Sequence, residues 1–174
     1  MWARGIQTWE DFPETGSVLG QKLDEVARRR LAQAREALER HDLKTLADLI
    51  PPREHWRLYP EFARDAVYFD IETDGAKSQV PTVVALFDAD GLHVFIQGRN
   101  MDALPAALAG RRLWVTFNGS CFDVPVLRNY FGKDFPVPAA HIDLRFVCRR
   151  LNMGGGLKEL EDKLGLAQIG RAHV

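Results

Sequence analysis

The sequence is poor in cysteine, and the two cysteines that it has are far apart. Cys121 and Cys148 form neither a CxxC pair nor a spacing typical of a zinc site. Two separated cysteines in 174 residues do not make the disulfide framework of a small secreted protein, so free thiols in a reducing compartment are expected. The cysteine content therefore argues against a disulfide scaffold and against a cysteine-rich metal module.

The sequence also lacks a strong net charge and a long hydrophobic run. Its formal charge of -1 argues against a polybasic binding protein, although a local basic patch could still contact nucleic acid. No apolar run approaches the length of a membrane span, and the N-terminal segment "MWARGIQTWEDFPETG" has no apolar signal-peptide core. We therefore expect a cytoplasmic protein without a membrane association.

The pattern of the sequence changes near Pro51, and the part before it is helical. Ser17 is the predicted N-cap, and Leu19, Leu23 and Val26 recur at helical spacing. The exposed face of this helix mixes both charges: Arg28, Arg29, Arg35 and Arg40 stand among Glu25, Glu36 and Glu39. We interpret that face as solvated charge pairs, with a nucleic-acid patch as the alternative.

An α/β pattern follows, so we predict an N-terminal helical extension over residues 1–60 and a second domain over residues 61–174. Strands are predicted at "DAVYFDIE", "QVPTVVALFD", "GLHVFIQ", "RRLWVTF" and "AAHIDL", and helices at "MDALPAALAG", "FDVPVLRNYFG" and "GGGLKELEDKLGL". This β-β-β-α-β-α-β-α order predicts a mixed five-stranded sheet flanked by helices.

Three carboxylates cluster where the first strand ends, in the segment "VYFDIETDG". Because side chains alternate along a strand, Asp70 and Glu72 leave one face, about 6.5–7 Å apart along the backbone, while Ile71 points to the core. Carboxylate oxygens suit Mg²⁺ or Mn²⁺ better than zinc. The acids are either a metal site or simply the exit of the strand into solvent.

A second motif stands after the fourth strand, where Asn118-Gly119 precedes Phe122 and Asp123 at the start of a helix. Pro125 lies in the first turn of that helix, and Gly132 ends it. Asp123 could be an ordinary helix N-cap, or it could join the two acids of the first strand.

These two motifs carry a family resemblance. "YFDIETDG" resembles the first exonuclease motif of the DEDD nucleases and "NGSCFDVPVL" the second; those enzymes are 3′–5′ exonucleases of the ribonuclease-H-like fold. The chain is most similar to the YprB-like ribonuclease-H-like group, and the similarity covers nearly the whole chain. It extends to the segments "GIQTWEDF", "WRLYPEFARDAVYFDIETDG", "HIDLRFVCRRL" and "GGGLKELEDKLGL".

The resemblance implies a two-metal nuclease that acts on single-stranded DNA or RNA with Mg²⁺ or Mn²⁺. Asp70 would bridge both ions, Glu72 would complete one site, and Asp123 would support the other. Further residues would bind substrate. The backbone at Thr73 would approach the terminal nucleotide, and Asn118 would either bind substrate or fix its loop. Phe122 would stack on a base, or else belong to the core.

The sequence departs from the DEDD pattern at the fourth carboxylate, which the family carries as Y-x-x-x-D or H-x-x-x-D on a final helix. Tyr130 and Asp134 match the letters, yet Gly132 between them ends the helix. Because the sequence ends nine residues after Gly165, a fragment, a truncated product or a divergent form is expected. Other acids are weak substitutes: Asp143, which shares a face with His141 and is expected to cap a helix, and Glu159, Glu161 and Asp162.

The leading hypothesis is a metal-dependent 3′–5′ exonuclease-type domain that hydrolyses phosphodiester bonds of single-stranded nucleic acid. The missing fourth carboxylate predicts that this chain alone has little or no nuclease activity. The alternative is a non-catalytic nucleic-acid-binding module with a degenerate nuclease fold. A third interpretation is an interaction domain that uses its N-terminal helix as the partner surface.

Overall fold

The computed structural model describes Ile6 and residues 8–77 and 79–166, without the side chain of Asp134. The chain divides into two compact units, Met1–Ile50 and Pro51–Val174.

The first unit consists of two packed helices, α1 (Gln21–Glu39) and α2 (Leu43–Leu49). Its buried apolar side chains are Phe12, Ala37, Leu43, Leu46 and Ala47. Asp42 caps α2, because its carboxylate accepts hydrogen bonds from the amide and the hydroxyl of Thr45. The prediction of an N-terminal helix beside the α/β part is thereby confirmed.

The prediction that Ser17 caps α1 is wrong, because the N-cap is Gly20. The Ser17 hydroxyl instead donates to the carboxylate of Asp24 over 2.6 Å. Asp24 is fully buried and also accepts from the amide of Leu19. The segment before α1 therefore folds over Asp24, whereas Leu23, which was predicted on the apolar face, remains 59% exposed.

The second unit contains a five-stranded sheet and most of the helices. It opens with the 3₁₀ helix Pro52–Leu58 and α3 (Tyr59–Phe62). The elements that follow are β1 (Ala66–Thr73), β2 (Pro81–Asp88), β3 (Gly91–Ile96), α4 (Leu104–Ala109), β4 (Leu113–Thr116), α5 (Asp123–Phe131), β5 (Ala140–Asp143), α6 (Leu144–Arg150) and α7 (Leu157–Lys163). Short 3₁₀ turns lie at Ala63–Asp65, Met101–Ala103 and Gly132–Asp134.

The strand order is β3-β2-β1-β4-β5, and the sheet is mixed. β1 pairs antiparallel with β2 and parallel with β4, while β2 pairs antiparallel with β3 and β4 pairs parallel with β5. The predicted mixed five-stranded sheet flanked by helices is confirmed.

The core of this unit lies between the sheet and the helices α4 and α5. Trp114 is fully buried and makes an edge-to-face contact with Phe69, with ring centroids 5.2 Å apart. The other core residues are Val67, Ile71, Val84, Leu86, Phe95, Met101, Leu104, Leu108, Val126, Leu127 and Phe135. This packing fixes the end of β1 relative to the start of α5, where the predicted site residues lie.

Side chains alternate along β1 as predicted. Phe69 and Ile71 are buried, whereas Asp70 and Glu72 are exposed on the opposite face. The pairing of Asp70 with Ala85 and of Tyr68 with Phe87 extends this face over β2, where Phe87 is 53% exposed. The two acids therefore share one face at the end of a strand whose other face is core.

In the described part of the chain, no helix combines the length and the apolar character that crossing a membrane requires. Cys121 and Cys148 are both free thiols, which agrees with the prediction from their spacing.

Candidate active site

Asp70 and Asp123 come from β1 and α5 and lie near enough for their charges to interact. Burial raises the pKa of Asp123 to about 6, and the negative charge of Asp70 adds to this increase. Burial also raises the pKa of Asp70, and the charge of Glu72 adds to it. The carboxylates at the end of β1 and the start of α5 therefore disfavour one another's ionisation.

Asp123 is buried, with 3% of its surface exposed, and its Oδ1 has no hydrogen-bond partner among the described residues. It does not cap α5, because the N-cap is Phe122 and Asp123 is the first helical residue. A buried carboxylate oxygen without a partner is costly. A proton or a cation would remove that cost.

The three predicted metal-binding acids are brought together only in part. The charge of Asp70 acts on Asp123, and that of Glu72 acts on Asp70. Among residues 6, 8–77 and 79–166, however, no three His, Cys, Asp or Glu side chains form a group that could hold a metal ion. The hard oxygen donors and the partnerless Oδ1 fit Mg²⁺ or Mn²⁺ in chemistry, although the side chains do not form a complete ligand group.

Asn118 is used within its own loop. It adopts a left-handed backbone conformation with φ 65°, which asparagine tolerates better than most residues. Its side-chain Oδ1 accepts a hydrogen bond from Arg145 Nη1. Of the two roles predicted for Asn118, these contacts support the fixing of the loop, and a contact with substrate remains a prediction.

Asp143 holds the same loop from the end of β5. Its Oδ1 accepts from the amides of Asn118 at 2.8 Å and Arg145 at 3.1 Å. Its Oδ2 accepts from the amide of Ser120 at 3.1 Å and from the Ser120 hydroxyl. The predicted cap of α6 is thus confirmed. The loop contact, which joins residues 23 and 25 positions apart, was missed because no sequence pattern signals it.

The other predicted site residues are placed as follows. Thr73 is the last residue of β1, next to an irregularity in its pairing with β2. Phe122 is partly buried and packs against the core, which agrees with its alternative role there. Tyr130 lies in α5, which ends at Phe131 before Gly132 with φ 80°, so the Y-x-x-x-D letters do not lie on one helix. The side chain of Asp134 is outside the described residues.

Gly119 is required by a close approach to β4. A Cβ at this position would lie 2.3 Å from Oγ1 of Thr116, whose hydroxyl is also 2.8 Å from Nε2 of His141. Burial lowers the pKa of His141, so this partner of Thr116 is held towards its neutral form. The absence of a side chain at Gly119 therefore lets the loop approach Thr116 at the end of β4.

Gly119→Ala is expected to lower the free energy of unfolding by about 2–3 kcal/mol, because the buried Thr116 cannot move aside. Urea denaturation measures this change. Gly110→Ala is the matched control, since that glycine has nothing within 4 Å and φ -87°, and it should change stability by less than about 0.5 kcal/mol. Equal effects of the two substitutions would contradict the close approach.

A family model described as RNase_H superfamily matches residues 67–171. The chain belongs to the RNase H superfamily. Comparison of this RNase H superfamily chain with curated proteins and with solved structures found no match. The matched range starts in β1 and contains Asp70, Glu72 and Asp123, and the predicted ribonuclease-H-like fold is confirmed. Membership indicates a nuclease-type fold with a nucleic-acid substrate in general, and nucleases of this superfamily generally use divalent metal ions.

Proposed function

We propose that this chain is a metal-dependent 3′–5′ exonuclease-type domain, of the YprB-like group, that acts on single-stranded DNA or RNA. The observation that carries the proposal is the pairing of Asp70 with the buried Asp123, whose Oδ1 lacks a partner. A structural carboxylate at this depth would be expected to have a hydrogen-bonded or cationic neighbour. The carboxyl group of Asp123 does have a backbone hydrogen bond with Ile71, but its Oδ1 has no partner among the described residues, and a buried polar atom of this kind is typical of a functional site.

Asp70, Glu72 and Asp123 would hold Mg²⁺ or Mn²⁺. When bound, such ions activate a water molecule and stabilise the leaving oxygen in attack on phosphorus. Asp123 must release its proton to act as a ligand, and its pKa of about 6 keeps it mostly ionised at neutral pH. Thr73, through its backbone, and Asn118 and Phe122 remain the proposed substrate contacts.

The fourth carboxylate of the DEDD pattern has no evident replacement among the described side chains. Asp143 is occupied by four hydrogen bonds, and Glu159 pairs with Lys163 at 2.7 Å. We therefore propose that this chain alone cleaves nucleic acid weakly or not at all. A non-catalytic nucleic-acid-binding module is the second candidate, favoured by the incomplete ligand group in the described part of the chain.

We also propose a functional division into residues 1–60, a helical extension, and residues 61–174, the nuclease-type domain. Along the chain, the division between the two compact units falls near this boundary, between Ile50 and Pro51. A cytoplasmic location is part of the same proposal, supported by the free thiols of Cys121 and Cys148.

The proposal is tested by thermal unfolding with and without Mn²⁺. At ten times its dissociation constant, the ion should raise the free energy of unfolding by about 1.4 kcal/mol, which corresponds to about 3–5 °C in Tm. Asp70→Asn should abolish this shift and any cleavage of a 5′-labelled single strand, because Asp70 is the acid shared between the proposed sites. Asp102→Asn, an exposed control, should keep the shift.

The two candidate functions predict different outcomes. An Mn²⁺ shift that depends on Asp70 supports the metal-dependent nuclease-type site, whether cleavage is fast or slow. If Mn²⁺ stabilises neither the unmodified protein nor Asp70→Asn, while an oligonucleotide binds in EDTA, the chain is a non-catalytic nucleic-acid-binding module and the exonuclease proposal is wrong.

A further inference from the structure

A groove of about 900 Å³ runs through the second unit between the 3₁₀ helix Pro52–Leu58, α5 and α6. Its walls are mostly apolar, and charged side chains stand among them. The residues that matter here are Trp56, Val124, Arg128, Val137, Phe146 and Arg149. Val137 is 69% exposed and Phe146 is 42% exposed, so the groove is open to a ligand.

One end of the groove lies at the loop that precedes α5. Ser120 and Asp143, which hold the loop before α5, both line it. Val124, which follows Asp123 directly in the chain, lines it as well. A ligand in the groove would therefore reach the loop that precedes Asp123.

The groove has an excess of positive charge from four arginines, Arg53, Arg128, Arg149 and Arg150. Arg53 and Arg150 share the carboxylate of Glu54, at 3.8 Å and 2.7 Å. Arg128 and Arg149 take part in none of the ion pairs found between described residues. Among the described residues that line the groove, Asp143 is the one acid, and amide and hydroxyl donors occupy its carboxylate. The two arginines therefore remain available for an anion.

Two aromatic rings belong to the groove lining, Phe146 and Trp56. The guanidinium of Arg149 lies 6.0 Å from the ring centroid of Phe146. The ring of Trp56 lies 4.5 Å from the guanidinium of Arg57, which is outside the lining. Cations beside exposed rings on an apolar wall form a surface that can pair with phosphates and stack with bases at the same time. A small inorganic anion would contact only the arginines, and the apolar wall of the groove would remain exposed to solvent.

We propose that this groove binds a single-stranded nucleic acid, with Arg128 and Arg149 contacting phosphates and Phe146 stacking on a base. The path of the strand towards Asp123 rests on the proposed function, whereas binding in the groove does not. The positive charge of Arg128 and Arg149 complements phosphates, and the rings of Phe146 and Trp56 can stack on bases. A peptide would not need stacking surfaces, so these features favour a nucleic acid.

The experiment measures fluorescence anisotropy of a labelled oligothymidylate of about ten nucleotides, with the full chain in EDTA, so that metal binding plays no part. Arg128→Glu and Arg149→Glu should each raise Kd about tenfold, since a charge-assisted contact contributes about 1.5 kcal/mol. Each should also lower the slope of log K against log salt by about 0.7, the value for one phosphate of a single strand.

Arg99→Glu is the matched control, because Arg99 is exposed, lies outside the groove and undergoes the same change of charge. It should change Kd by less than about twofold. Phe146→Leu should weaken binding while leaving the salt slope unchanged, because it removes a stacking ring and no charge. Arg128→Gln and Arg149→Gln give the same test if a charge reversal impairs folding.

Equal Kd values for the groove variants and Arg99→Glu would overturn the groove proposal. The same result would be obtained if the natural ligand of the groove were a protein. The Mn²⁺ shift that depends on Asp70 would then still support the exonuclease proposal. In the converse case, binding that depends on the groove without any Mn²⁺ shift would support the groove and remove the exonuclease proposal.

Discussion

Asp123→Asn is expected to stabilise the protein in EDTA by about 2–3 kcal/mol at a pH of about 8, while it removes stabilisation by Mn²⁺. The pKa of Asp123 is about 6 in the folded chain, against an ordinary value near 3.9 in the unfolded chain. A difference of about two units corresponds to about 2–3 kcal/mol once both states are ionised. The amide keeps the shape of the side chain and cannot ionise.

The pH dependence follows from the direction of the pKa shift. Between about pH 4 and 6 the folded protein binds more protons at Asp123 than the unfolded protein, so the contribution of this residue to stability falls as pH rises. The advantage of Asp123→Asn should therefore be small near pH 4 and complete above about pH 7. Urea denaturation in EDTA at several pH values measures it.

Asp102→Asn serves as the control, because Asp102 is exposed, and its effect should not vary with pH in this way. A loss of stability in Asp123→Asn at high pH would show that the carboxylate has a compensating partner and would contradict the candidate site. A gain of stability together with a loss of the Mn²⁺ shift would mean that the chain tolerates an unfavourable carboxylate for the sake of binding a cation.

Asp143→Ala is expected to lower the free energy of unfolding by about 3 kcal/mol and to remove the Mn²⁺ shift. Its carboxylate accepts four hydrogen bonds, from Asn118, from Ser120 twice, and from Arg145. Loss of a helix cap alone costs about 1 kcal/mol, and the part-buried amides of the loop would lose their acceptor in addition. The loop before Asp123 would then lose its anchor on β5.

Asp143→Asn distinguishes the contributions of the two carboxylate oxygens to stability. Its Oδ1 can still accept from Asn118 and Arg145, but the new amide cannot accept from the amide of Ser120. About half of the loss is therefore expected, and Ser120→Ala, which removes only the hydroxyl contact, should lose about 1 kcal/mol. If Asp143→Ala costs no more than the loss of a helix cap, the anchoring of the loop is contradicted.

Much of the fold could be predicted because it depends on local pattern. The alternation in β1, the end of α5 at Gly132, and the order of strands and helices follow from side-chain periodicity and from residues that stop helices. The N-cap of α1 was predicted wrongly because a nearby group competes for the same side chain. Ser17 has the right chemistry for an N-cap, but its hydroxyl donates to the buried Asp24, and Gly20 is the N-cap instead.

Only part of the candidate site could be predicted. The sequence places Asp70 and Glu72 on one strand face and Asp123 at a helix start, and their roles remain proposals. It contains no indication that Asp143 would hold the loop of Asn118, or that Arg128 and Arg149 would line one groove. These residues belong to separate elements, and only the packing of those elements brings them together.

The available chemistry follows from the sequence, because residue type and periodicity over a few positions place hard oxygen donors on one strand face and at a helix start. The energetics of those groups depend on how the elements pack. Packing of α5 against the sheet buries Asp123 beside Asp70 and raises its pKa to about 6. Electrostatic cost depends on distance through space and on access to water, and neither is encoded in the spacing of residues along the chain.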